Sequence, residues 1–385
     1  MTLLTRTVLG AIAVLAGGET AFAQQILEID LGSGRDVIND EWRAILPGGR
    51  FLVDHERDLL YAVDLEHPDD VMGFSLLTGE PDRLVRIPKG EGPRELPSTV
   101  RAVSQASAGG LYVLGDGRVL HLDSLGQVVE DFWRPVVPGG GSAVCDLGGS
   151  PAVPSWGGVV RKGRSGDKIL GAGVVQGEAL PFHGTVQEIV AKVTSRPTSM
   201  FCIGESAYTV AAFEDAADTV FSYSLNGGEG KILPPSEFAE GRVPWNRKLR
   251  LAGDGHGNLV LVRGIVLEVA GAVIDPRSGC YAVIRINDPN PTISFGGIVE
   301  DSALVLYKDY EDTVRNGRPT RTVLYTSGLV KLHPIRRISG EACPGMFPSL
   351  TSESQRSEHE NDPALGAGTD PTETDIVVRE RRRPS

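Results

Sequence analysis

Long apolar stripes with the 3.6-residue period of a helix are nearly missing from this 385-residue chain, which argues against a helical protein. After the first residues, nothing approaches the roughly 20 apolar positions needed to cross a bilayer as a helix. No C-x-x-C occurs, so a redox or zinc-ribbon role is disfavoured. No H-x-x-x-H or H-E-x-x-H pair places two imidazoles at ligand spacing. No G-x-S-x-G supplies a nucleophile elbow. The formal net charge is -12, the wrong sign for a nucleic-acid partner, which needs clustered Lys and Arg.

What the chain has is glycine (48) and proline (25) between short Val/Leu/Ile/Tyr runs, the pattern of an all-β protein with many tight turns. The runs recur as units. One reads Asp58 to Asp64, Val71 to Phe74, then Leu77 to Glu80. The next reads Gly110 to Val113, Arg118 to Asp123, then Leu125-Gly126. Tyr61 and Tyr112 stand about 50 residues apart, within the range of propeller repeats. Later units begin near Ala207, Gly257 and Ser302, and the glycine-rich, pattern-poor stretch Pro151 to Gly177 would be a degenerate one. A small antiparallel meander cannot bury both faces alone, and stacking meanders around an axis buries them. An early strand, Gln25 to Leu31, is placed to close such a ring by completing its last unit. Two packed β-sandwiches are the alternative, because short strands at this spacing suit them as well.

Arg6, the apolar stretch Val8 to Leu15 and the Ala21-Phe22-Ala23 site read as a secretory signal cleaved after Ala23, so a periplasmic or secreted protein is expected. The expected organisation is a signal over 1–23, a β-domain over 24–347 and a polar disordered tail over 348–385, too poor in aliphatic residues to fold. An even cysteine count in an exported chain points to disulfides. Four cysteines allow three pairings. Cys145–Cys202 with Cys280–Cys343 is preferred because each pair would join neighbouring units, free buried thiols being the other reading.

The segment Gly90-Glu91-Gly92-Pro93-Arg94-Glu95-Leu96, followed by Gly110-Leu111-Tyr112-Val113, Arg118-Val119 and Asp123-Ser124-Leu125-Gly126, resembles the NHL-like six-bladed β-propellers. That resemblance implies a six-bladed propeller of four-stranded antiparallel blades, one of them degenerate here. Arg94 stands where that family carries glycine, so a positive φ at this position would strain the turn. Gly90, Gly92, Pro93 and Glu95 are expected to build a turn between blades, with Glu95 accepting backbone N–H bonds from the loop it closes.

Chemistry is written faintly. Some propellers of this type hold zinc on histidines from different blades, and His121, His183, His256 and His333 are spread widely enough to imitate that, without matching contexts. Asp309, Glu311 and Asp312, and likewise Glu214, Asp215 and Asp218, are acidic groups of the kind that bind Ca²⁺, but each reads better as a solvated loop. Trp133, Trp156 and Trp245 stand singly and read as packing residues. No catalytic residue and no cofactor is assigned. The leading expectation is a non-enzymatic scaffold that presents one face to a protein, peptide or glycan partner. The alternative is a metal-dependent hydrolase or lyase, with its site in the central channel.

Overall fold

A computed structural model describes residues 24–38, 51–63, 69–107, 109–135, 143–155, 158–164, 166–170, 174–175, 178–179, 197–211, 219–226, 229–232, 249–263, 269–287, 293–315, 318–340, 343, 346–347 and 350. The signal and tail segments fall outside this range, apart from Leu350. Among the described residues all twenty-six elements are strands.

The chain opens with β1 (Gln24–Ile29) and β2 (Arg35–Ile38). An antiparallel meander follows, β3 (Phe51–Asp54), β4 (Leu59–Val63), β5 (Asp70–Ser75) and β6 (Pro81–Arg86). The next sheet holds β7 (Ala102–Gln105), β8 (Leu111–Gly115) and β9 (Arg118–Leu122). Then come β10 (Cys145–Asp146), β11 (Pro151–Ser155), β12 (Gly158–Arg161) and β13 (Lys168–Leu170). A two-stranded pair, β14 (Val174–Val175) and β15 (Glu178–Ala179), precedes the meander β16 (Pro197–Ile203), β17 (Ser206–Ala211), β18 (Thr219–Ser224) and β19 (Glu229–Ile232). The last meanders are β20 (Leu249–Gly253), β21 (Leu259–Arg263), β22 (Val269–Ile274) and β23 (Tyr281–Ile286), then β24 (Ile293–Val299), β25 (Ser302–Arg315) and β26 (Arg318–Ser339).

Turn chemistry explains the hairpins. Asp116 (φ 43°) and Gly117 (φ 73°) both take positive φ between β8 and β9, the two-residue turn that matches strand twist. Asp123 Oδ1 accepts the amides of Leu125 (2.8 Å) and Gln127 (2.9 Å), while Gly126 adopts φ 80°. Asp275 repeats the device, taking the Arg277 amide at 2.9 Å ahead of Gly279 (φ 74°). An Asp carboxylate caps its own turn, and glycine supplies the left-handed residue.

Second strands such as β4, β8 and β21 are buried along their whole length, because each has a sheet on either side. Six apolar clusters account for this. Five join sheets that follow one another in the chain, for example Tyr61 and Val85 with Val103 and Leu111, or Tyr208 and Val220 with Leu249 and Leu261. The sixth joins last to first, packing Leu304, Leu306 and Val330 with Leu60, Phe74 and the β2 residues Val37 and Ile38. The sheets therefore close on themselves in the radial manner of a β-propeller, and the sandwich alternative falls away.

β1 and β2 seal that closure. β1 runs parallel to β23 (Gln24 opposite Tyr281, Ile29 opposite Ile286) and antiparallel to β26 (Ile29 opposite Ile335), fusing the two last meanders into one sheet. β2 pairs with β26 through Arg35 and Leu332. Arg336 Nε donates to Glu28 Oε1 at 3.0 Å across the same seam. One disulfide joins Cys280, just before β23, to Cys343, just after β26. The other joins Cys145 on β10 to Cys202 on β16.

Two sequence expectations are corrected. Much of the pattern-poor stretch from Pro151 to Gly177 is no degenerate unit: β11, β12 and β13 pair regularly, and β11 is fully buried. Its glycines and prolines obscured the alternation. The clearest motif in the sequence instead builds the shorter sheet, three strands edged only by the bridges Leu122–Val128 and Val119–Trp133.

Replacing Cys280 and Cys343 together by Ser removes the covalent closure over a 63-residue separation. The expected loss is about 2–5 kcal/mol, read from urea unfolding. An unchanged midpoint would mean that strand pairing alone holds the seam.

Candidate active site

The first strands of the meanders surround a cavity of about 950 Å³. Much of its wall is apolar, with Phe51, Val53, Val144, Met200 and Phe295 among the contributors. The Cys145–Cys202 disulfide also lies in this wall. The charged and titratable liners among the described residues are His55, Glu56, Asp146, Glu205 and Arg250.

Four of these five sit at or just past the end of a first strand, and a repeated device puts three of them there. Asp54 ends β3, is fully buried, and accepts the amides of Glu56 (3.1 Å) and Arg57 (3.2 Å) while its second oxygen meets Arg57 Nη1 at 3.0 Å. Asp146 ends β10 and takes the amides of Gly149 and Ser107, both at 2.7 Å. Asp254 follows β20 and takes the amides of His256 (2.8 Å) and Asn258 (3.0 Å) and the Asn258 side chain (2.6 Å). These aspartates spend their oxygens on nearby amides and local side chains, so they shape turns. The turn held by Asp54 projects His55 and Glu56 into the cavity wall. Glu56 accepts from Gln105 Nε2 at 3.1 Å, and Glu205 is held by the Asn226 side chain.

His55 reaches from the β3–β4 turn to the turn after β20. Its ring lies against Gly255, where an added Cβ would fall 2.7 Å from the imidazole, and it hydrogen-bonds the Gly253 carbonyl. Only glycine tolerates that approach and the φ of 82° at this position. Nε2 is buried and has no partner among the described residues, so Nδ1 is the nitrogen that donates to Gly253. Burial holds the imidazole below its ordinary pKa, outweighing the Gly253 bond and the nearby Asp254. His55 is thus a neutral imidazole with a fixed tautomer and a free lone pair. The side chain of Arg250, on β20, is in no ion pair or hydrogen bond among the described residues, and burial lowers its pKa too.

The residues singled out from sequence lie elsewhere. Gly90, Gly92, Pro93 and Glu95 form the connection between β6 and β7, outside the cavity wall. Glu95 Oε2 accepts the Gly92 amide at 2.8 Å, and Gly90 takes φ 154° where a side chain would run into that carboxylate. Arg94 has no positive φ, so the turn never needed glycine there. The histidines do not converge. His121 tilts against the Tyr112 ring at 4.8 Å, and His256 contributes its amide to the Asp254 turn. His333 is buried between the Tyr307 hydroxyl (2.8 Å) and the Asp30 carbonyl (3.1 Å). Trp133 donates to Asp167 at 2.8 Å as a packing residue. Asp309, Glu311 and Asp312 stand on β25, with Asp312 opposite Arg321 on β26. His183, Trp156, Trp245, Glu214, Asp215 and Asp218 lie outside the described residues. No group of three or more His, Cys, Asp or Glu among the described residues is arranged to hold a metal ion.

Sequence reasoning passed over His55, Glu56, Glu205 and Arg250. One signal was available: FLVDHERDLLYAV and LAGDGHGNLVLV share the order strand, Asp, turn, strand, which puts His55 just past a turn-forming aspartate.

No protein-family model and no curated protein sequence matches the chain. Among solved structures it is similar to a gluconolactonase from Xanthomonas campestris, at 12% identity and a TM-score of 0.44, over 81% of this chain and 97% of that one. A luciferin-regenerating enzyme gives 12% and 0.42, over 80% and 95%. The calcium-binding protein regucalcin from Agrobacterium tumefaciens gives 12% and 0.41, over 83% and 98%. The expectation of a non-enzymatic scaffold is set aside on the cavity of this chain itself. Titratable groups gather at the strand ends of an otherwise apolar wall, an arrangement that suits chemistry on a small molecule.

Burial depresses His55, His121 and His333 alike. Unfolded, each takes up a proton near pH 6.5, whereas folded it does so only at lower pH, so stability falls as pH drops below about 6.5. The melting temperature should therefore fall between pH 7 and pH 5, and His55→Gln should flatten that slope in differential scanning calorimetry. An identical slope in the variant would place the imidazole in solvent.

Proposed function

We propose that this chain is a hydrolase-type enzyme acting on a small molecule in the central cavity of a six-bladed β-propeller. The ring of six is supported by the six inter-sheet clusters, the last of which returns to the first meander. A ring spanning 24–347 is supported at both ends, by strand pairing that begins at Gln24 and by Phe347 packing into the core. Export, with removal of residues 1–23, fits the two disulfides.

One observation carries the enzymatic reading. His55, at the wall of a cavity large enough for a metabolite, has its Nδ1 oriented by a backbone carbonyl and its Nε2 unpartnered but covered, so its turn must shift to bring Nε2 to the cavity. A neutral imidazole so held acts as a general base. It takes the proton of a water adding to an acyl carbon and returns it to the leaving oxygen. The Gly253 carbonyl stabilises the imidazolium formed in between, as an acceptor placed behind a catalytic histidine does. Asp254 and Asp54, the nearby carboxylates, favour that cation. The described residues do not fit a metal site, so no step is routed through a metal.

Purified protein should hydrolyse members of a panel of aryl esters and lactones. His55→Gln should lower kcat/KM about 100-fold or more while circular dichroism and Tm hold. Turnover that survives His55→Gln unchanged would remove the histidine from the mechanism.

A further inference from the structure

Arg250 is the sole cationic side chain among the described residues of the cavity wall, leaving His55 aside as neutral. Every carboxylate there is already engaged: Glu56 by Gln105, Asp146 by two backbone amides, Glu205 by Asn226. Arg250 makes no comparable contact among the described residues. Arg250 is only partly buried, and a guanidinium held at a cavity wall without an anion is a group that a ligand can complete.

Strand geometry fixes where the group stands. Leu249 and Leu251 pack toward Tyr208 and Val210, whereas Ala252 packs toward Val262 and Phe295. Alternation along β20 puts Arg250 on the Ala252 side, opposite Val262 in the register. That side of the cavity is walled by Phe295, Gly296, Gly297 and Leu306. A Cβ on Gly297 would meet nothing within 4 Å, so the wall is open at that glycine. Gly253, which holds His55, is three residues further along the same strand, roughly 10 Å at about 3.3 Å per residue.

We propose that Arg250 is the anion-recognition residue of the cavity, and that the substrate is an organic carboxylate with an apolar body, its carboxylate on Arg250 and its scissile bond toward His55. This rests on the hydrolase reading for the second contact only. A single planar fork suits a carboxylate taken bidentately, and a phosphate dianion would call for further donors. The apolar wall between the two ends suits an alkyl or aryl body.

The test is calorimetric titration and thermal shift of the purified protein with 4-phenylbutyrate, its uncharged amide and inorganic phosphate at constant ionic strength. The wild type should bind the carboxylate roughly 10-fold or more tightly than the amide, the usual weight of a charge-assisted contact. Arg250→Met should lose that preference and melt at the same temperature or a few degrees higher without ligand. Arg250→Lys should keep part of the preference. Equal binding of carboxylate and amide by the wild type, tighter binding of phosphate, or no binding of either phenyl probe overturns the assignment. So does a variant that melts several degrees lower and keeps the preference, since Arg250 would then be a structural residue. If Arg250→Met does not fold, the wild-type comparison of carboxylate with amide decides alone. Because no arm reads turnover, His55→Gln protein that still prefers the carboxylate upholds this assignment even where the hydrolase reading fails on the ester panel.

Discussion

A sheet with two apolar faces has no stable existence by itself, and each meander of this protein has two. Tyr61 faces the next sheet while Leu60 faces the previous one, and the same holds around the ring. A linear stack would leave one apolar face bare at each end. Closure removes both ends at once, and it depends on the seam where Val37 and Ile38 of β2 meet Leu304 and Leu332 of the last meander and Leu60 of the first. The seam is correspondingly reinforced by β1 between β23 and β26, by the Glu28–Arg336 pair, by the buried His333 and by the Cys280–Cys343 bond.

The cavity is a by-product of that same constraint. Sheets packed radially bring neighbouring first strands into contact but hold opposite ones apart, so side chains at those strands line a space. Turns at the strand ends then become positions where polar groups converge without disturbing the cores. Asp54, Asp146 and Asp254 keep the turns rigid through backbone hydrogen bonds, which holds the neighbouring residues in place. Against this background of satisfied groups, the free lone pair of His55 and the unaccompanied charge of Arg250 stand apart. Local frustration of this sort marks sites whose requirements differ from those of folding.

The sequence was most legible where turn chemistry is strongest. Asp116-Gly117 and the Asp123 turn announce a hairpin through residues that accept positive φ or cap their own turn, and neither needs the rest of the fold. The stretch after Pro151 was misread because its glycines and prolines interrupt the alternation on which strand recognition rests. The same motif-first reading looked for function at Gly90 to Glu95, whose job is to close a connection, with Arg118 reaching the Gly92 and Glu95 carbonyls. It missed His55, an unremarkable histidine until the turn some 200 positions later is folded against it.

Sequence by itself determined the all-β character and the turns, because φ preferences and side-chain-to-backbone hydrogen bonds act over a few residues. It also supplied, in four well-spaced cysteines, the means of joining neighbouring units. Only the tertiary structure decided what shares a cavity. Convergence of His55, Glu56, Glu205 and Arg250 is a consequence of ring closure, and closure is a sum of long-range apolar contacts that no local pattern encodes.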